Sequence, residues 1–427
     1  MFMKIKTKTM TYDKVMALPR PAHKKPYKPS VLLQTVVRIA SIFDLLPTKF
    51  KYTEKGMEKI GKNEPCLILM NHSSFIDLKI ASGIFYPRRY GIVSTFDTLM
   101  GKELLMRLVG CFPTQKFVTD ITLIKDMQYL LQEKKVSVLM YPEAGYSFDG
   151  CTTTLPRKMG VLLKKLGVPV VTVITKGAFA RDPLYNGLQL RKVPVSAEVT
   201  CIATAEELKS KSVAELDALI DEAFSFDNFR WQQENGIKIT EPFRADGLHR
   251  ILYKCPHCGA EDSAEGKGIS WTCHHCGKQY TLTETGFLEA TDGHSKFTHI
   301  PDWMSWQREQ VRKELERGEY SLDVPVKIGM MVDFKALYMV GEGRLVQDGE
   351  GIHLTGCDGK LEYHRSPVAS HSLNADFFWY EIGDVICVGD SQTQYYCFPQ
   401  DAGNVVTKAR LAAEELYKLK KRRPAEG

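Results

Sequence analysis

The sequence predicts an α/β domain, with a mostly parallel sheet covered by helices. A short cysteine-knuckle segment follows it, and then a small β-rich domain closed by a helix. Three observations carry this prediction. Between residues 60 and 205, short apolar runs alternate with helical stretches, as strands buried on both faces do. Two Cys-x2-Cys-Gly knuckles fall between 255 and 277. Beyond 321, short strand-like runs are separated by turn signals.

The buried strands are expected at Cys66–Met70, Gly91–Ser94, Val136–Tyr141 and Val168–Ile174. Helices are expected between them, at Asp120–Glu133 and at Lys158–Leu166 before Gly167, and again over 206–235. In parallel sheets of this kind, chemistry gathers on loops beyond the carboxyl ends of the strands. Ahead of the domain, residues 1–29 are basic, hold four prolines and read as a flexible arm. Ser30 then suits a helix N-cap, and Pro47 ends the run that follows. In that helix Gln34, Arg38, Ser41 and Asp44 share one face, and a broad apolar side fills the rest. It reads either as an interfacial anchor or as a helix packed on its own domain. The resulting division is 1–50 (arm and amphipathic helix), 51–240 (α/β domain), 250–288 (cysteine segment), 289–320 (helical linker) and 321–423 (β-rich domain). The expected strand runs of the last part include VKIGMMV, ALYMV, GIHLTG and QYYCFP, followed by a helix at Val405–Lys421.

Composition narrows the function classes. The 427 residues are 44% hydrophobic and 25% charged, ordinary globular values that exclude a disordered or collagenous chain. Seven of the eleven cysteines are scattered singles, which fits a reducing compartment. Residues 1–50 carry ten Lys/Arg against two Asp, and residues 418–427 carry five against one Glu. With a net charge of +6, these ends at +8 and +4 leave −6 on the body. A nucleic-acid-binding body would show the reverse, so no nucleic-acid partner is expected. Basic ends suit an anionic membrane surface or are solvated tails. The first residues lack an apolar leader region, and no apolar run is read as reaching the ~20 residues of a bilayer span.

The run LILMNHSSFID places Asn71 and His72 directly after a strand, with Asp77 five residues past His72. On a regular helix those two side chains would lie ~140° apart, so they meet only across a strand-to-helix turn. A carboxylate on one imidazole nitrogen fixes the tautomer and makes the other a better base. No G-x-S-x-G elbow is present, so a serine nucleophile is not indicated. Glu143 ends a second strand in VLMYPEAGYS, and GCFPTQK leads to Lys116. Pro169 enters a fourth strand in GVPVVTVI.

Taken in order, these blocks resemble the glycerolipid acyltransferase family, typified by 1-acyl-sn-glycerol-3-phosphate acyltransferase. Asn71, His72 and Asp77 match its N-H-x4-D motif, and Gly110 through Lys116 match its second motif loosely. Tyr141-Pro142-Glu143-Ala144-Gly145-Tyr146-Ser147 stands where the family reads F-P-E-G-T-R-S, and Val168–Val173 matches its fourth motif. The resemblance covers about 51–205. It implies that His72 deprotonates an acceptor hydroxyl, that Asp77 orients His72, and that Lys116, Glu143, Gly145 and Tyr146 lie at the acceptor. The donor would be acyl-CoA or acyl-carrier protein and the acceptor a lysophospholipid, with 1-acyl-sn-glycerol-3-phosphate favoured. The place of action would be the cytoplasmic face of a membrane. Tyr146 replaces the family's arginine, so either Lys116 with Arg157 or Lys158 contacts the acceptor phosphate, or the acceptor differs. A non-catalytic lipid-binding adaptor on the same scaffold is the alternative.

Cys255, Cys258, Cys273 and Cys276 have the spacing of a zinc ribbon, in which four thiolates close around one structural Zn2+. Spacing alone also admits iron, or disulfides. The β-rich part and its last helix resemble a pleckstrin-homology-like pattern, which would set Lys418–Arg423 near lipid headgroups.

Overall fold

The computed structural model describes residues 5–118, 120–156, 158–400 and 403–422. Arg157 and Arg423 lie outside these described residues. The first strand, β1 (Thr7–Thr9), pairs in parallel with a C-terminal strand at Leu337–Met339. A short helix, Tyr12–Met16, follows and buries Val15 fully. Farther along, Lys24 pairs with Glu103 and His23 with Asp126. Residues 5–29, expected as a flexible arm, are therefore a strap fastened at both ends. Composition could not reveal this, because strand pairing at long range leaves no local periodicity.

Seven strands form the sheet of the α/β part: β2 (Lys51–Lys55), β3 (Leu67–Met70), β4 (Tyr90–Thr95), β5 (Cys111–Thr114), β6 (Ser137–Met140), β7 (Val170–Lys176) and β8 (Ser196–Ala203). Their order is β2-β8-β7-β3-β6-β4-β5. All adjacent pairs are parallel except β7 with β8. The sheet is thus mixed, with a parallel centre. Along β3, Ile68 and Met70 join one hydrophobic core while Leu67 and Leu69 join the other. Both faces are covered, which is why these strands read as continuous apolar runs. Because β3, β6, β4 and β5 run the same way, the loops after them open at one edge.

The helices begin and end where local chemistry requires. Asp120 accepts hydrogen bonds from the Thr122 and Leu123 amides and so caps the Ile121–Gln128 helix. Gly167, at φ 63°, closes the Met159–Leu166 helix. In that helix Gly160 has a packing role, since a Cβ there would meet the Val213 carbonyl oxygen at 2.5 Å.

The helix Val31–Leu45, capped by Ser30, has inverted polarity. Its polar stripe faces protein: Gln34 donates to the Tyr90 carbonyl, Ser41 is buried, and Asp44 pairs with Lys79. Its apolar side is bare, with Leu32, Phe43 and Leu46 each more than 70% exposed. The 18 residues Val31–Thr48 have a mean hydropathy of 1.5 and are 17% buried. By length and composition the segment could cross a bilayer, which corrects the expectation that no run reaches that size.

The cysteine segment forms a four-stranded sheet of β9 (Ala264–Lys267), β10 (Ser270–Cys273), β11 (Gln279–Leu282) and β12 (Leu288–Ala290). After the helix Ile300–Arg317 come β13 (Leu322–Met331), β14 (Leu337–Asp348), β15 (Gly351–Gly356), β16 (Leu361–Arg365), β17 (Asn374–Trp379), β18 (Gly383–Gly389) and β19 (Gln394–Pro399). These seven pair antiparallel in the order β16-β15-β14-β13-β19-β18-β17, and β1 joins at β14. The closing helix is Val405–Arg422. One continuous core joins Trp271 and Tyr280 of the ribbon, Trp303 of the linker helix, the inner face of this sheet, and Phe148 of the α/β part. These segments are packed together and are not loosely tethered.

Candidate active site

The end of β3 is fixed by Asn71, whose side-chain oxygen accepts from the Thr175 amide at 2.8 Å on neighbouring β7. His72 follows, and its backbone is held on both sides. Its amide donates to Glu143 Oε2 at 2.7 Å, and its carbonyl accepts from the Ser147 amide at 3.1 Å. The chain then turns through Ser73–Ile76 into the helix Asp77–Phe85. This turn is the one the five-residue spacing requires.

Asp77 Oδ2 lies 3.0 Å from His72 Nδ1 and also accepts from the Ser73 and Ser74 amides, at 2.8 and 3.0 Å. With a carboxylate as acceptor, Nδ1 carries the proton and Nε2 presents a lone pair. Nε2 has no protein partner among the described residues, and the His72 side chain is 17% exposed. Burial lowers the pKa of His72, opposed by the Asp77 hydrogen bond and charge and assisted by Lys116. The imidazole is therefore neutral at pH 7 and available as a base. Ser74 in turn donates to buried Asp182, whose carboxyl burial pushes up to about 6.

Two tyrosines stack on the His72 ring, Tyr141 at 4.2 Å and Tyr146 at 3.9 Å between centroids. Exposed Phe75 extends the stack from Tyr146 at 5.2 Å. Tyr141 was read from sequence only as a motif position. Its ring contact becomes visible only when β6 lies beside β3.

Glu143 was expected at the acceptor. Its two oxygens accept from backbone amides, Oε2 from His72 and Oε1 from Thr153, each at 2.7 Å. Burial raises its pKa to about 7, against those hydrogen bonds and the charge of Arg410. Its visible task is to lock the His72 backbone. Gly145 is buried with ordinary backbone, and a Cβ there would meet only Arg410 Nη2, at 4.0 Å. Ala144, not Gly145, adopts the left-handed conformation, at φ 53°. Lys116 follows β5 and lines a cleft with Thr95, Asp97, Asn374, Trp379 and Tyr396. Its charge acts on both His72 and Asp376. The far wall of this cleft belongs to the C-terminal sheet, which sequence reasoning did not bring to the site.

The four predicted cysteines also converge. Their sulfurs all lie within 4.8 Å of one another, with Cys255–Cys276 and Cys258–Cys273 each at 3.8 Å. A tetrahedron with metal–sulfur bonds of about 2.3 Å has edges of about 3.8 Å, whereas a disulfide needs about 2.05 Å. Gly259 and Gly277, at φ 78° and 74°, close the two knuckles. The donor set fits one Zn2+ with a closed shell, so it would brace the ribbon and leave no open position for chemistry.

Two outcomes follow from this geometry. Ala144→Gly relieves a left-handed alanine and raises unfolding stability by about 1 kcal/mol, read from urea denaturation. Elemental analysis finds one zinc ion per chain, and Cys273→Ser abolishes it and lowers the melting temperature; iron in its place would correct the metal assignment.

Residues 51–176 match the family model described as Acyltransferase. No curated protein sequence matches the chain. Among solved structures, the 1-acyl-sn-glycerophosphate (LPA) acyltransferase PlsC from Thermotoga maritima is similar at 16% identity, over 45% of this chain and 78% of that one, with a TM-score of 0.33. The N-H-x4-D pair closed at the end of β3 lies inside the segment 51–176 that matches the Acyltransferase family model.

Proposed function

We propose that this protein is a membrane-peripheral glycerolipid acyltransferase. It would move a fatty acyl group from acyl-CoA or acyl-carrier protein to the free hydroxyl of a lysophospholipid. The favoured acceptor is 1-acyl-sn-glycerol-3-phosphate, giving phosphatidic acid. The observation that carries this reading is the His72–Asp77 contact at 3.0 Å, with the His72 side chain still 17% exposed.

In this mechanism His72 Nε2 takes the proton of the acceptor hydroxyl as its oxygen attacks the thioester carbonyl. Asp77 offsets the positive charge that develops on the ring. The tetrahedral intermediate collapses, the C–S bond breaks, and the imidazolium returns the proton to the departing thiolate. Products are the ester and the free thiol, with no acyl-enzyme. Lys116 supplies a cation for the acceptor phosphate, and the neutral Tyr146 supplies a hydroxyl in place of the family's arginine. The intact base and orienting acid weigh against the non-catalytic adaptor reading.

The membrane part rests on the inverted helix. Leaving Val31, Leu32, Val36, Ile39, Ile42, Phe43 and Leu46 in water is costly, since each such side chain contributes about 1.5–3 kcal/mol when fully buried. A bilayer interface would cover this face while the polar stripe stays on the protein. The unpaired cysteines fit placement on a cytoplasmic face.

Purified protein given labelled acyl donor and mixed lysolipids is expected to form diacyl product. His72→Ala lowers the rate about 10²–10⁴-fold, and wild-type turnover in that variant rejects the assignment. Because ionised Glu143 accepts the His72 and Thr153 N–H bonds more strongly than the neutral acid, kcat/KM falls as pH drops through about 7. Glu143→Gln replaces one acceptor with a donor and lowers activity about 10–100-fold even at pH 8, by analogy with other supporting-residue losses. In flotation assays the wild type binds anionic vesicles, while the double variant Leu32→Glu/Phe43→Glu stays in solution. Equal flotation of both would rule out this helix as the anchor.

A further inference from the structure

The third-motif loop has lost its own arginine, yet a guanidinium reaches it from 264 residues away. Arg410, on the helix Val405–Arg422, is buried against the segment Tyr146–Phe148. Its Nη1 donates to the Tyr146 carbonyl at 2.9 Å, and its Cζ sits 4.5 Å over the Phe148 ring. Its Nε faces Glu414 Oε1 at 3.4 Å. Glu414 is itself fixed by Arg308 at 2.6 Å, by Ser372 at 2.7 Å and by Thr154 at 3.1 Å. Its carboxyl would be raised by burial, but Arg308 and Arg410 hold it down at about 2, so it stays ionised.

We propose that Arg410 is a positioning residue of the active site: it holds the Tyr146 backbone so that the Tyr146 ring and the Ser147 amide both bear on His72. The Tyr146 ring stacks on the imidazole at 3.9 Å, and the Ser147 amide donates to the His72 carbonyl at 3.1 Å. The Tyr146 carbonyl that Arg410 holds and the Ser147 amide that bonds His72 belong to one peptide unit, and the Tyr146 ring leads into it. A guanidinium suits this task because its planar fork makes several bonds in fixed directions, whereas a lysine offers a point charge. The helix that carries Arg410 is pinned in turn by the cysteine ribbon. Glu261 pairs with Lys408 at 2.8 Å, Asp262 accepts from the Asn404 amide at 2.7 Å, and Thr407 donates to the Arg250 carbonyl at 2.7 Å. A chain of contacts therefore runs from the ribbon through the C-terminal helix to the general base. The β-rich domain and its helix are parts of the active site.

This inference rests on His72 being the base, so its test has an arm that does not need turnover. Full-length wild type, Arg410→Gln and Arg410→Lys are compared, with Arg317→Gln at an exposed helix end as control. The readouts are kcat, KM for acceptor and donor, thermal melting, and the 15N resonances of the His72 ring. Arg410→Gln is expected to lower kcat about 10–100-fold with both KM values within about threefold, and to shift or broaden the His72 resonances. Arg410→Lys keeps the charge beside Glu414 and so stays folded, yet it shows the same spectral change and a smaller kcat loss. Unchanged His72 resonances in Arg410→Lys, or a loss confined to the acceptor KM, overturns the proposal. If the wild type itself transfers no acyl group, the acyltransferase reading falls, while the spectra still decide whether Arg410 positions His72.

Discussion

The structure depends on how one histidine is held. His72 is gripped at its amide by Glu143, at its carbonyl by Ser147, and at its ring by Asp77. None of these partners lies on β3. They come from the loop after β6 and from the helix that follows the turn. The grip exists only because β3 and β6 run side by side in the same direction, which brings their carboxyl ends to one edge. A slip in that register would separate Glu143 from His72 and leave a buried carboxylate without its donors.

Much of this could be read from the chain. The central strands are buried on both faces, so their apolar runs stood out, and each was found within a few residues of its expected bounds. The His72–Asp77 contact was legible because the spacing admits only one local geometry. The cysteine cluster was legible because thiolates at that spacing have few other uses. What escaped had no local signature. β2 is the charged run KYTEK with every residue exposed, and it is a strand only because β8 pairs with it. The strap at 5–29 looked like a flexible arm because its partners lie from about eighty to more than three hundred residues away. Amphipathicity revealed that the Val31–Leu45 helix has two faces, but not which face turns inward. Tyr141 and Arg410 escaped for the same reason, since their roles arise from packing between distant segments.

The later parts of the chain are not appendages. The core that contains Trp271, Trp303 and the inner face of the β13–β19 sheet also takes in Phe148, one residue beyond Ser147. Asp376 on β17 lies within electrostatic reach of Lys116 and Arg410, and burial pushes its carboxyl up to about 6. Tyr380, just past β17, donates to Asp97 beyond β4 at 2.9 Å. The family-matched segment thus supplies His72 and Asp77, while the segments beyond it form the far wall of the Lys116 cleft.

The strap has a consequence for how the molecule can be dissected. Its first described residues pair with β14 of the last domain, and its later ones clasp the α/β domain before leading into the exposed helix. The strap thus ties β14 of the last domain to the α/β domain, like a buckle closed on a belt. No single cut releases the family-matched segment intact. Trimming back to Lys51 strips a strand from the far sheet, and stopping before Val405 removes the guanidinium behind Tyr146.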